Sequence, residues 1–349
     1  MRELVIWAHS ECRSTMALFR EVKRQAGVPV TIALWKSGEA DDVRKARELT
    51  GQMPGEYAGL GLIPVGEDFN KGLSLLSKHG DAGAVHVFCV YQNSPVWRRL
   101  ILKAKDMGLR TVVYAESPCE MCTGAKALAK RFYYRFLLPF MIRKVANAAD
   151  VFLNQSGEKG TGRLLRIGWA KEKIVPFGYA SAVDFARAER VERARRSVFR
   201  ILHTGSEAKY RGVTTLLEAV DILKRRGVAV DAVRTGGIAR FDDMRRLYAW
   251  ADVFVACGIC EPWGMRVNDA IHAGLPVVVS DGMGASMIVE RHGCGCVYRR
   301  RDARELADIL ERMATDADFM SRIESAVNAA HAAWKPTAKA REFLEVLRR

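Results

Sequence analysis

Two acidic side chains, Glu261 and Asp269, stand eight residues apart in the segment 253–286, VFVACGICEPWGMRVNDAIHAGLPVVVSDGMGAS. The apolar run that ends at Ala256 reads as a buried strand, and the loop after it, which contains Gly258, delivers Glu261. Pro262 to Gly264 suit the start of a helix, because proline is tolerated in a first turn. The unpaired N–H groups of a helix start attract anions, so a phosphate could sit there beside Glu261. On such a helix Asp269 lies about 80° around the axis from Glu261, and both carboxylates can approach one ligand. Gly274 to Pro276 close the helix and 277–279 forms a second buried strand. It ends in Asp281-Gly282-Met283-Gly284, a loop whose backbone can come close to a phosphate.

These residues need a frame to hold them. In the first half, strand-like runs at 4–8, 30–35, 60–65, 85–90, 111–115 and 151–154 alternate with helical segments such as 15–25 and 41–49. An Arg-rich polar stretch at 182–197 breaks the pattern and reads as a linker. The alternation then resumes with strands at 199–203, 228–233, 253–256, 276–280 and 296–298. Helices are expected between them at 213–226, 242–251 and 264–273, and the chain finishes on helices at 303–314, 318–330 and 337–349. Short buried strands alternating with helices imply parallel sheets covered on both faces. The expected fold class is α/β, with two doubly wound domains in tandem. Ligands of such sheets bind beyond the carboxyl ends of the strands, so two facing domains would share a cleft.

Composition narrows the class further. Hydrophobic residues make up 49% and charged residues 27% of the 349, which excludes a disordered chain. No uncharged apolar stretch approaches the roughly 20 residues of a membrane-spanning helix. Only 4–8 is apolar before His9, short of a signal-peptide core. A soluble, cytoplasmic protein is the expectation. Lys and Arg total 55 against 40 for Asp and Glu, a net charge of +15. Such an excess speaks to partners: nucleic acid, an anionic membrane surface or a phosphorylated substrate.

The string E-P-W-G-x-x-x-x-D-A-x-x-A-G-L-P-V-V-V-S, from Glu261 to Ser280, resembles the signature of the retaining, GT-B fold glycosyltransferases of family 4. Residues 246–255 are similar to the family's segment just before it. Residues 201–205, then Arg211-Gly212, then 216–219 resemble its strand, phosphate loop and helix. Residues 154–156 and 173–178 resemble the end of its N-terminal domain, and Ala333-Trp334 the element that crosses back to it. The order and spacing hold over roughly residues 150 to 340. There are departures. Asp269 stands where the family has a second Glu, Ser206 where many members have Arg, and Arg211 where the family has Lys. The stretch 227–242 is short, and the first half lacks the family's glycine-rich first loop.

The resemblance implies a GT-B architecture of two Rossmann-like domains facing a cleft. Residues 1–182 would be the acceptor-side domain, 183–333 the nucleotide-sugar domain, and 334–349 a helix crossing back to the first. The implied activity is transfer of a sugar from a nucleotide-sugar to a saccharide acceptor, lipid-linked, in cell-surface polysaccharide synthesis. Arg211, Lys209 and the backbone around Gly205 and Gly284 would grip the diphosphate, with Ser206, Gly264 and Met265 as loop contacts. Glu261 would meet the sugar near its reacting carbon, and Asp269 the ribose. Fixed cations at a departing diphosphate stabilise the transition state, so no metal or other cofactor is expected. His9 and Glu116, at strand ends of the first domain, are the expected acceptor-side contacts. The rivals are a nucleotide-sugar epimerase of the same architecture and a non-catalytic basic protein that binds membrane or nucleic acid. No recognisable nucleic-acid module is present, and none is expected as a partner.

Two further patterns stand apart from that scheme. Cys119/Cys122 and Cys257/Cys260 each have metal-ligand spacing, but the pairs are far apart in sequence and read as ordinary reduced thiols. In 126–144, KALAKRFYYRFLLPFMIRK, basic and aromatic residues interleave as they do in membrane-surface helices. The expectation is contact with an anionic membrane at its inner face, against the alternative of a core helix with a basic edge.

Overall fold

The computed structural model describes residues 1–36, 55–89, 91–92, 94–180, 197–205, 208–235 and 241–349. The helix expected at 41–49, the linker before Ser197, and Ser206 lie outside the described residues. Contacts divide the chain into two units, Met1–Pro118 with Leu128–Ala182 and Pro336–Arg349, and Cys119–Ala127 with Val183–Lys335.

The first unit is built on seven strands: β1 (Glu3–Ser10), β2 (Val30–Lys36), β3 (Leu62–Pro64), β4 (Ala84–Phe88), β5 (Arg110–Ala115), β6 (Val151–Asn154) and β7 (Ile174–Pro176). They pair in the order β3-β2-β1-β4-β5-β6-β7, and every pairing is parallel. Successive side chains of a strand point to opposite faces, and β1 follows that rule. Leu4, Ile6 and Ala8 pack with Phe19 and Val22 of the helix Arg13–Gln25 and with Phe343 and Leu347 of the helix Pro336–Arg348. Val5 and Trp7 pack on the other side with Trp97, Leu100 and Ile142. The last helix of the chain thus belongs to the first unit. Arg110 donates to the Leu347 carbonyl at 2.8 Å, a cation at a helix C-terminus. Lys339 is buried on its inner side, donates to the Phe177 carbonyl at 2.8 Å, and lies 3.6 Å from the Phe177 ring centroid.

The second unit carries β8 (Phe199–His203), β9 (Val230–Arg234), β10 (Val253–Ala256), β11 (Val277–Ser280) and β12 (Gly295–Tyr298). Their order is β12-β11-β10-β8-β9, again parallel. Ile201, Val253, Val255 and Val278 form a core with Leu216, Ala219 and Leu223 of the helix Val213–Arg225, and with Leu306 and Leu310 of the helix Ala303–Thr315. The short stretch 227–242 supplies one edge strand. From β8 the chain moves out to β9 and returns to place β10 on the other side of β8. Strand order therefore reverses between β8 and β10, which is where an open parallel sheet leaves a crevice for ligands. Among the described residues no helix is long and apolar enough to cross a membrane.

Candidate active site

The loops after β8 and β10 meet at that crevice. After β8 the chain passes Gly205, at φ 145°, whose N–H donates to Thr235 Oγ1 at 3.3 Å. Lys209–Arg211 form a 3-10 turn, which Gly212 ends at φ 68°. The Ile259 N–H donates to the Tyr210 carbonyl at 2.8 Å and so ties the two loops together. A Cβ on Gly212 would stand 2.1 Å from the Cys257 carbonyl oxygen. Only glycine allows this approach, because both the left-handed φ and the missing Cβ are required. Gly212→Ala is expected to lower stability by about 1–3 kcal/mol through forced backbone shifts. Thermal unfolding of the variant beside Gly227→Ala, also at positive φ but with open space around it, isolates the clash from the strain.

The tied loops bring Arg211 and Glu261 together. Arg211 Nη1 donates to Glu261 Oε1 in an ion pair between residues 50 apart in sequence. The Tyr210 ring lies 5.2 Å from the guanidinium carbon. Glu261 is buried, and burial pushes its carboxyl above the usual range while Arg211 pulls against that shift. Its backbone is held as well. The Glu261 N–H donates to the Gly282 carbonyl at 3.1 Å, and the Gly284 N–H approaches the Glu261 carbonyl at 3.4 Å. Residues 261–263 and 283–285 thus run side by side as a short parallel ladder next to β10 and β11. Gly282 permits it, since a Cβ there would lie 2.4 Å from the Ile259 carbonyl oxygen.

The helix begins one residue later than its expected start, at Met265, with Gly264 as its N-cap at φ 109°. Met265 is half-buried at its first position. Asp269 is buried and paired with Arg266 at 3.4 Å, while Trp263 Nε1 donates to Asn268 Oδ1 at 2.7 Å. Glu261 and Asp269 therefore sit in two separate ion pairs. Lys209 is exposed on the turn that delivers Arg211. The Gly205 and Gly284 amides already have acceptors inside the protein, so these glycines brace the loops as well as line them. Sequence reasoning missed Arg266 and Tyr210. The first had a signal, an Arg three residues before an Asp on one helix face, and the second had none.

In the first unit His9 lies within β1 and not beyond it, because the strand runs on to Ser10. Its ring meets Trp35 edge-on at 4.9 Å, and its Nδ1 is 3.1 Å from Ser10 Oγ. Glu116 follows β5, and its Oε1 and Gln155 Oε1, at 3.1 and 3.0 Å, share the single proton of the Tyr179 hydroxyl as acceptors. Both residues are at carboxyl ends of strands, and β1 and β4 flank the point where this sheet's strand order reverses.

Residues 188–316 match the family described as Glycosyl transferases group 1. The chain carries a group 1 glycosyltransferase domain. No curated protein matches the sequence, but solved structures share the whole fold of this glycosyltransferase. Anabaena Alr3699/HepE in complex with UDP and glucose is 13% identical, covers 100% of both chains and has a TM-score of 0.61. A glycosyltransferase from Rickettsia africae is 12% identical with a TM-score of 0.63, over 99% of this chain and 97% of that one. WaaG, a glycosyltransferase involved in lipopolysaccharide biosynthesis, is 13% identical with a TM-score of 0.57, over 98% and 99%. The GT-B fold read from the signature is thus the fold of this glycosyltransferase, and the Glu261 ladder lies inside the matched domain.

Proposed function

We propose that the glycosyltransferase moves a sugar, with retention, from a nucleoside-diphosphate sugar to a saccharide acceptor. The observation that carries this reading is the Arg211–Glu261 pair at the reversal point between β8 and β10. A diphosphate entering the crevice competes with Glu261 for Arg211. Its arrival would exchange one anionic partner of the guanidinium for another and release the carboxylate toward the sugar hydroxyls. Lys209 adds charge from the same turn, Gly264 and Met265 open the helix beside the donor, and Asp269, oriented by Arg266, takes the ribose. As the glycosidic bond breaks, negative charge grows on the diphosphate, and fixed cations stabilise it there. No metal ion and no separate protein base are assigned, since family resemblance implies front-face attack with the leaving phosphate accepting the acceptor's proton. His9 and Glu116 are proposed as acceptor-side contacts.

UDP is the first nucleotide to test, because UDP and glucose occupy the Anabaena structure. Calorimetry with UDP, GDP, ADP, CMP and dTDP in EDTA should give selective binding of one. Failure of every nucleotide to bind folded protein would sink the donor site.

The acceptor is proposed to be lipid-linked and met at an anionic membrane face. The support is a patch on the first unit where Leu128, Phe132 and Phe140 are 70%, 60% and 80% exposed. It runs from Leu128 in the helix Ala125–Phe132 through a π-turn into the helix Leu138–Ala148, with Lys130, Arg131, Arg135 and Arg143 among the apolar residues. An exposed apolar patch with interleaved bases suits an interface of anionic headgroups and acyl chains. Vesicles containing phosphatidylglycerol are expected to sediment the protein, and phosphatidylcholine vesicles to leave it in solution. The double variant Phe132→Ser, Phe140→Ser should weaken partitioning about tenfold or more. Equal binding by variant and wild type would remove this face from the membrane.

A further inference from the structure

The cysteines, expected to be ordinary thiols within two separate C-x-x-C pairs, are rearranged by the fold. Cys119 belongs to the short segment Cys119–Ala127 that groups with the second unit. Its Sγ lies 2.6 Å from Cys260 Sγ, across 141 residues of sequence. Cys260 Sγ in turn donates to Glu120 Oε2 at 3.2 Å. Cys119 is buried, and Cys260 is half-buried, which leaves one sulfur of the pair open to a small reagent. The neighbouring Cys257 is buried, with its thiol pushed up to about 12, and is inert by comparison. The three ligand atoms of Cys119, Glu120 and Cys260 lie within 4.8 Å of one another, a spacing that also raises metal binding. Two thiolates on one tetrahedral zinc, with bonds of about 2.3 Å, stand roughly 3.8 Å apart with the ion between them. Here the sulfurs touch directly, and the arrangement favours a bond between them.

We propose that Cys119 and Cys260 form a reversible disulfide by exchange with a small-molecule disulfide. Cys260 gives its proton to Glu120, and the thiolate attacks one sulfur of the reagent. The reagent's S–S bond breaks and its first half leaves as a thiolate, which takes the proton from Glu120. Cys119 then attacks the Cys260 sulfur of the mixed disulfide, expels the second half, and passes it the Cys119 proton. The protein loses two hydrogens and the reagent, now two thiols, is reduced. The bridge lies one residue from Glu261 and would clamp that loop to 119–127. The bridge is independent of the donor reading, and only this consequence for Glu261 rests on it.

The test equilibrates the full chain with oxidised glutathione, alkylates it, and maps peptides without reduction. A Cys119–Cys260 peptide is expected, reversed by dithiothreitol, lost in Cys119→Ser and in Cys260→Ser, and retained in Cys122→Ser. Glu120→Gln should slow its formation several-fold. Circular dichroism confirms that each variant is folded, and none of these readouts depends on nucleotide binding. A Cys119–Cys122 or Cys257–Cys260 peptide in its place, or glutathione adducts alone, would overturn the proposal. So would one equivalent of zinc on the untreated protein that is lost in Cys260→Ser, which would make the cluster a metal site.

Discussion

Arg211→Ala is expected to weaken binding of the cognate nucleoside diphosphate by about 10- to 100-fold, the loss of a charge-assisted hydrogen bond worth about 1.5–3 kcal/mol. The same change strips Glu261 of its ion-pair partner. Glu261 is buried and its carboxyl already stands above the usual range because of burial, so without Arg211 it should remain protonated to higher pH. Glu261→Ala should do something different. It frees the guanidinium from its internal partner, so diphosphate affinity should stay within about threefold or tighten, while kcat for sugar transfer falls by about 100-fold or more. Calorimetry and turnover on the two variants separate the roles. Parallel losses of affinity in both would mean that the pair acts only as a structural brace. Arg211→Lys, which keeps the charge but gives up the planar fork, should fall between. In the wild type the Glu261 assignment also has a pH signature. Its ionised form is populated above its raised pKa, so turnover should decline as pH falls toward that value, from a higher pH than for an exposed carboxylate.

The residues that carry these predictions were legible to different degrees. The strands 151–154, 199–203 and 253–256 appear in the structure with the bounds read from their apolar runs, because a buried parallel strand is a nearly unbroken run of apolar side chains. The three-residue strand Ile174–Pro176 was not legible. It is a short edge strand closed by proline, with only Ile174 buried, and such a segment has no period to detect. Glu261 and Arg211 were both singled out, but for different parts of a donor. That they hold each other depends on Gly212 and Ile259 drawing two loops together, a contact between residues 50 apart that no local pattern encodes. The cysteines show the same limit in stronger form. Their spacing reads as ordinary reduced thiols in two separate C-x-x-C pairs, whereas the fold pairs Cys119 with Cys260.

Unfolding stability of the first unit should fall as pH drops from about 6.5 to about 4, and His86 is the reason. His86 lies in the middle of β4, fully buried. Trp7 Nε1 can only donate, and it donates to His86 Nδ1 at 3.2 Å. That nitrogen must therefore be the acceptor, and His86 Nε2 carries the proton and donates to the His79 carbonyl at 3.1 Å. The neutral tautomer is fixed from both sides. A second proton on Nδ1 would point at the indole N–H and leave a charge in the core. Burial accordingly pushes the imidazole down to about 4 from its ordinary 6.5, against smaller opposing effects from the His79 carbonyl and Glu3. The direction of the linkage follows. Below pH 6.5 the unfolded chain takes up a proton that the folded chain refuses until about 4, so acid favours unfolding across that window and adds nothing further beneath it. A separation of that size corresponds to about 3 kcal/mol at most, more than a hundredfold in the unfolding constant. His86→Gln removes the titrating group and should flatten this segment of the profile, whatever it does to stability at pH 7. Chemical denaturation at half-unit steps from pH 7.5 to 4 measures both slopes. Identical slopes in variant and wild type would assign the acid sensitivity to other groups.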